Sequence, residues 1–258
     1  MNEAPSYAVL GRGRWAKIMQ GILAGEGRRS TLIEDTRRAE RESETDYKAR
    51  LFARMKGSAA QIAWLCTTPG PHVPLMTEAA VDAGLHVIVE KPWLHSREQT
   101  RAVSEFARFK GRLIGIHHEY CLLDGIQEWR KRFGGGKGLQ FGARFSMNRP
   151  NRVGISPIDN FGCHLLAIQE YAVPKSGLAG ISCEYERPDE RRVWLENDQR
   201  TIASVDFLGS SERIIQRYIS AFEAALDTGS FPFDLDFATR VAERLANWKK
   251  TQRSARES

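Results

Sequence analysis

The sequence lacks the features that would place it in several large classes. No apolar run approaches the roughly 18–20 residues that a membrane-crossing helix needs. The opening stretch, MNEAPSYAVL, has no basic region followed by an apolar core, so no signal peptide is expected and the expected location is cytoplasmic. Cysteine is scarce. Cys66, Cys121, Cys163 and Cys183 are scattered without a C-x-x-C pair, which argues for reduced thiols rather than a disulfide framework. No spacing of His, Cys, Asp and Glu suggests a metal site, and neither repeats nor low-complexity segments occur. Concentrated charge is missing too. The 38 basic and 32 acidic residues leave a net +6, spread along the chain apart from the tail WKKTQRSARES. A nucleic-acid binder needs a basic stripe and a recognisable module. The expected partner is therefore a small molecule, with an anionic one suiting the charge, and neither nucleic acid nor a membrane.

What remains is a chain of 258 residues, long enough for one large domain or two small ones. Its first half alternates strand and helix signals. SYAVLG, STLIED, QIAWLCTTP, LHVIVEKP and RLIGIHH read as short, mostly buried strands. Trp15 to Ala24, HVPLMTEAAVDAG and SREQTRAVSEFARFKG read as helices, the last with Ser96 as N-cap and Gly111 as stop. The charged run TRRAERESE reads as a solvated helix face. This alternation predicts an α/β fold with a doubly wound parallel sheet, whose ligand crevice lies beyond the carboxyl ends of the strands. Gly11, Gly13, Asp35, Thr67, Thr68, Glu90 and Lys91 all fall at such ends.

The character changes after His117. Helices DGIQEWRKRF and DNFGCHLLAIQEYA accompany four strand candidates, LQFGARFSM, LAGISCEYER, RRVWLEN and RTIASVDFLG, the last three at hairpin spacing. Two further helices, SERIIQRYISAFEAALDTG and DFATRVAERLANWKK, follow. The prediction is a domain at 1–117 and a reduced α+β domain at 118–258 with an open, mostly antiparallel sheet.

The stretch Gly11-Arg12-Gly13-Arg14-Trp15-Ala16 is a G-x-G-x-x-A pattern between a strand and a helix. Gly11 permits the tight turn, Gly13 lets the backbone approach a pyrophosphate, and Ala16 lets the helix pack on the strand. The N–H groups and positive dipole end of the helix then face the phosphates. Arg12, Arg14 and Trp15 flank that position. At the end of the second strand, Glu34, Asp35 and Thr36 are placed for an adenosine ribose. Asp35 favours NAD, whereas Arg37 and Arg38 suit the extra phosphate of NADP; the two cofactors stay open. In VIVEKP, a lysine at the end of a buried strand is flanked by Glu90 and Pro92. On its own it reads as an ordinary solvated strand-end lysine.

The set GRGRW, TTPGPH, AGLHVIVEKP and GCH, in this order, resembles the glucose–fructose oxidoreductase / inositol dehydrogenase (Gfo/Idh/MocA) family. The resemblance implies a Rossmann domain followed by an α/β domain with an open sheet, NAD or NADP as cofactor, and a small polar substrate such as a sugar derivative, polyol or imine. It implies that Thr67, Thr68, Pro69 and His72 line the dinucleotide, with Glu90 and Lys91 by the nicotinamide. Lys91 would be the proton donor or acceptor, since a partly desolvated lysine near a cationic ring exchanges a proton more easily. A dimer through the second sheet is also implied.

This chain departs from the family's second motif, roughly D-x-G-x-H-x-x-D. The matching stretch keeps His164 but has Asn160 for the first aspartate and Ala167 for the last, with Asp159 one residue early. An amide cannot take a proton. His164 is then expected to act with Lys91, and Tyr120 or His118, which follow the last strand of the first half, are further proton-transfer candidates beside His117. Arg149 and Arg152 in MNRPNRVGISP are candidates for an anionic group on the substrate. The chain is also shorter than is usual for the family. These departures keep a second function class in play, a catalytically silent dinucleotide-binding sensor or scaffold.

Overall fold

The computed structural model describes residues 4–150 and 156–257. The chain forms two compact units. One comprises residues up to His117 together with Ile219–Thr239, and the other comprises His118–Tyr218 and the residues from Arg240 onward.

In the first unit, β1 (Tyr7–Leu10), β2 (Ser30–Ile33), β3 (Ile62–Leu65), β4 (His86–Val89) and β5 (Ile114–Ile116) form one sheet in the order β2-β1-β3-β4-β5. Every pairing is parallel, with Tyr7 beside both Ser30 and Ile62. Parallel neighbours require crossovers. These are α1 (Arg14–Gly25), α2 (Glu44–Gly57), α3 (His72–Asp82) and α4 (Arg97–Phe109). β1, β3 and β5 are buried along their whole length, as expected of strands covered on both faces. The order reverses at β1, so the ends of β1 and β3 define the crevice. Ser96 does cap α4, accepting from the Gln99 N–H at 3.1 Å.

Two sequence expectations change here. The run TRRAERESE is not helical. α2 begins only at Glu44, where Ser43 accepts from the Asp46 N–H. Upstream, the charges are engaged in a loop, with Arg38 Nε donating to the Glu42 carbonyl at 2.8 Å. The second difference is the return of Ile219–Thr239 to the first unit. Glu223 takes a hydrogen bond from Tyr7 Oη at 2.7 Å and a bidentate pair from Arg28, both bonds at 2.7 Å. The Ile116 N–H donates to the Phe233 carbonyl at 2.7 Å, which covers the edge strand β5. A Cβ on Gly115 would lie within 3 Å of Phe222 and Phe231, so this glycine lets the returning aromatics close on the sheet.

At the other end of β4, His86 Nδ1 accepts from the Leu113 N–H at 3.0 Å, beside Arg112. Burial, aided by the Arg112 charge, pushes His86 down to about 4. The unfolded imidazole, near 6.5, therefore binds more protons than the folded one in this range. Its contribution is complete above about pH 6.5 and is lost as pH falls toward about 4. Urea unfolding across this range should show that decline, and His86→Asn, which keeps an acceptor without a titrating group, should flatten it.

In the second unit, β6 (Gln140–Met147), β7 (Gly177–Tyr185), β8 (Glu190–Asn197) and β9 (Arg200–Asp206) form a sheet in the order β7-β6-β8-β9. β6 pairs parallel with β7, whereas β6–β8 and β8–β9 are antiparallel. The expected run of successive hairpins is thus broken, because β6 lies between β7 and β8. β6 carries the buried Phe141, Ala143 and Phe145 and takes a central place, which leaves the more polar β7 and β9 as edges. Only β8–β9 is a tight hairpin, turned by Asp198 and Gln199, both at positive φ. A 3₁₀ turn (Glu119–Leu122), α5 (Asp124–Arg132), a π-turn (Ile158–Gly162) and α6 (Cys163–Ala172) precede or cross over the sheet. α7 (Ser211–Thr228) and α8 (Leu235–Glu257) complete the chain. Among the described residues, no helix is long and apolar enough to cross a membrane.

Candidate active site

β1 delivers Gly11 to the crevice. Its N–H donates to the Ile33 carbonyl at 3.0 Å and its φ is +152°. A Cβ there would stand 2.5 Å from the Cys66 carbonyl oxygen and 3.2 Å from the Ala16 Cβ. Gly11 is therefore fixed by backbone shape and by close approach of β3. Gly13 is different. It is the N-cap of α1 at φ −82° and makes no side-chain capping bond. A Cβ on it would meet nothing within 4 Å. An uncapped helix N-terminus facing open space, with Ala16 buried behind it, fits the pyrophosphate of a dinucleotide. Arg12 and Arg14 are exposed beside it and Trp15 is half-buried.

Past β2, the loop is organised by Arg50, a residue the sequence reading missed. Its guanidinium grips Glu42 through two bonds of 2.8 and 2.9 Å, pairs with the Asp35 carboxylate at 2.9 Å, and donates to the Asp35 and Arg37 carbonyls. The Arg50 hydrogen bond holds Glu42 down at about 2. Thr36 is buried, and its carbonyl accepts from Tyr47 Oη at 2.8 Å. The two arginines of this loop part company. Arg38 is turned to Glu42 and Glu44, whereas the Arg37 side chain is exposed. Arg50 carries no local motif, so only the fold reveals it.

The ends of β3 and β4 complete this unit's share. Thr67, Pro69 and His72 are half-buried and Thr68 is exposed, and burial lowers the His72 pKa. Glu90 accepts from Trp64 Nε1 at 3.1 Å and from His117 Nδ1 at 2.9 Å. Burial works to raise its pKa, but the charge and hydrogen bond of His117, together with the Lys91 charge, outweigh it, so Glu90 stays below the ordinary carboxylate range. Lys91 is half-buried and follows directly. On its other side Trp93 is anchored by a 2.8 Å bond to Thr100. Of the two adjacent histidines, His117 is therefore the partner of Glu90, while His118 is buried in the second unit.

The second unit gathers Tyr120, Asn160 and His164. Tyr120 and His164 are 6% and 7% exposed, with ring centroids 4.8 Å apart. Phe145 stacks on Phe161 at 4.4 Å, and Arg191 lies 5.1 Å over the Phe145 ring while donating to Tyr120 Oη at 3.3 Å. Asn160 Nδ2 donates to Tyr185 Oη at 2.6 Å. Asp159 is engaged by Lys249 and by Ser156 Oγ, which fixes it away from the role of the family aspartate. Glu119 and Arg191 were not singled out from the sequence. Glu119 was legible as an acid between His118 and Tyr120, but Arg191, in the charged strand ERRVWLEN, was not. Arg149 stands 5.7 Å over the Tyr185 ring. Arg152 lies outside the described residues. Among those residues, no group of three His, Cys, Asp or Glu is placed to hold a metal.

Residues 10–118 match the family described as "Oxidoreductase family, NAD-binding Rossmann fold", GFO_IDH_MocA. Over this segment the chain is similar to the NAD-binding domain of the Gfo/Idh/MocA family. The family and the glycine cradle agree on the cofactor, NAD or NADP. No curated protein matches the chain in sequence. Solved structures extend the likeness in fold to almost the whole length. UDP-N-acetylglucosamine 3-dehydrogenase GnnA from Acidithiobacillus ferrooxidans superposes with a TM-score of 0.76 at 17% identity, over 95% of this chain and 97% of its own. The WlbA dehydrogenase from Thermus thermophilus, solved with NAD and α-ketoglutarate, gives 0.69 at 13% identity over 92% of each chain. Biliverdin reductase from Synechocystis sp. PCC 6803, solved with biliverdin and NADP+, gives 0.64 at 17% identity over 94% of this chain and 98% of its own. The segment similar to this family thus occurs in a chain that shares the general fold of these proteins over almost its whole length.

Proposed function

We propose that this chain is an NAD(P)-dependent oxidoreductase acting on a small polar substrate of the sugar, polyol or imine type, with Lys91 as its proton-transfer residue. The observation that carries this reading is the fixed Glu90 at the end of β4, which sets the next residue, Lys91, at the crevice where the Gfo/Idh/MocA domain receives its cofactor. The nicotinamide, when bound, supplies or accepts the hydride. The chain's own task is to hold the dinucleotide on the Gly11–Gly13 loop and to move a proton at Lys91 Nζ. Tyr120 and His164 line the second unit's buried polar cluster and are assigned to substrate orientation and hydrogen bonding, with His164 also sharing in proton transfer. GnnA acts on UDP-N-acetylglucosamine by name and biliverdin reductase on biliverdin, so the shared fold leaves the substrate to the side chains. The test is nicotinamide absorbance with both cofactors against nucleotide sugars, cyclic polyols and imines. Tight dinucleotide binding without turnover on any of them would favour the silent sensor or scaffold.

The arginines of the β2 loop carry a separate expectation. Arg37→Ala should weaken NADP about tenfold relative to NAD, the loss of one charge-assisted contact. Arg38→Ala, whose side chain is tied to Glu42 and Glu44, should leave the ratio unchanged. Calorimetric titration with both dinucleotides decides it, and equal loss of both cofactors makes Arg37 a surface charge only.

A further inference from the structure

Three sites for a carboxylate beside His164 are closed in this chain. Position 160 is an amide spent on Tyr185, position 167 is a buried alanine, and Asp159 is held by Lys249 and Ser156. Yet a carboxylate is there. Glu119 Oε2 lies 3.8 Å from His164 Nδ1, and both side chains are 7% exposed. It arrives from a different element, the 3₁₀ turn after β5, whose next residue Tyr120 places its ring on the imidazole. We propose that Glu119 is the carboxylate partner of His164, a positioning residue that fixes the Nδ1 side of the ring and leaves Nε2 to exchange a proton with the substrate.

The argument is energetic first. Burying a carboxylate is costly, and a well-packed apolar residue would serve stability as well or better. Glu119 is nonetheless buried, next to Tyr120, whose ring meets Phe145 and Phe207. The separation is longer than a direct hydrogen bond but within ion-pair reach, and such contacts commonly tighten when substrate binds. Other charged or titratable groups stand nearby, among them Cys121, whose thiol is pushed up by burial and by the Glu119 charge. The 3₁₀ turn brings His118 and Tyr120, β8 brings Arg191, which donates to Tyr120 Oη, and the π-turn brings Asp159, tied to Lys249. α5 turns its buried Ile126 and Trp129 inward. When His164 gains a proton at Nε2, the Glu119 carboxyl on the Nδ1 side is placed to balance the charge. One proton moves, and no electron passes through this pair.

The role of Nε2 in turnover rests on the oxidoreductase reading, but the pairing does not, and the experiment separates them. The full chain has six histidines, few enough for imidazole resonances to be assigned by NMR, with His164→Gln identifying the one in question. Glu119→Gln should lower the His164 titration midpoint by about one pH unit, a tenfold loss of proton affinity, while those of His72, His86 and His95 hold. Glu119→Asp keeps the charge but withdraws it by one methylene and should give a smaller shift in the same direction; it serves if Glu119→Gln fails to fold. An unchanged His164 midpoint in the folded variants overturns the pairing. With a substrate in hand, Glu119→Gln should lower turnover about tenfold and move the same limb of the pH profile, yet add less than twofold in a His164→Gln background. A shifted midpoint in a protein that turns over no substrate sustains the pair and overturns the oxidoreductase reading.

Discussion

Lys91→Ala should lower turnover by about 10²–10⁴, the usual contribution of a positioned general acid or base, while leaving dinucleotide affinity within about twofold. The expectation comes from how the lysine is held. Glu90 before it is clamped by the Trp64 indole and by His117, and Trp93 after it is clamped by Thr100. A chain pinned on both flanks presents the intervening side chain in a narrow range of positions, which is what proton transfer demands and what a solvated lysine does not need. Lys91→Arg is the informative companion, because it keeps the charge but places it on a guanidinium, which does not give up its proton. It should be nearly as slow as the alanine variant. Steady-state rates and fluorescence titration of the reduced cofactor on the same preparations separate the two effects. A Lys91→Ala protein with wild-type turnover would sink the assignment.

Gly13→Val should reduce NAD(H) and NADP(H) affinity by at least 10²-fold with little change in thermal stability. The contrast with Gly11 makes this a clean test. At Gly13 the backbone is already in a region open to any residue, and an added Cβ meets nothing within 4 Å, so the folded protein accepts the side chain. The space it enters is that assigned to the pyrophosphate, and its methyl groups exclude the phosphate oxygens from the α1 N–H groups. Gly11→Ala should behave in the opposite way. A Cβ 2.5 Å from the Cys66 carbonyl forces β1 and β3 apart, so melting temperature falls whether or not cofactor is present. Calorimetric titration together with thermal melts reads both. Undiminished affinity in a folded Gly13→Val protein removes the basis for the cofactor site.

What could be read from the sequence was whatever depends on short-range pattern. The five strands of the first sheet, the glycine loop, the capping Ser96 and the Glu90–Lys91 pair each rest on a few adjacent residues, and each lies where the pattern put it. Contacts set by distant partners were not legible. Arg50 is an ordinary basic residue of α2 until the fold brings Asp35, Arg37 and Glu42 around it. β6 takes the middle of its sheet because its buried Phe141, Ala143 and Phe145 win that place over β7, a comparison that spacing between strands does not make. The run TRRAERESE misled for a related reason. Its charges resemble a solvated helix face, but in a loop Arg38 donates to the Glu42 backbone carbonyl while the Glu42 carboxylate accepts from Arg50. Glu119 stood in plain view beside His118, yet without the fold nothing tied it to a histidine far along the chain.

The bond from the Ile116 N–H to the Phe233 carbonyl, with the grip of Glu223 on Tyr7 and Arg28, has a consequence for biosynthesis. Domains tend to fold as they leave the ribosome, the N-terminal one first. Here the first sheet is translated before Ile219–Thr239, so its β5 edge and the aromatic cover over Gly115 wait for that later segment. Until those emerge, the nascent sheet offers an uncovered edge and apolar surface to chaperones and to neighbouring chains. A gene fragment that stops after His117 should for the same reason yield an aggregating product, and one that appends Ile219–Thr239 through a short linker should yield a soluble one.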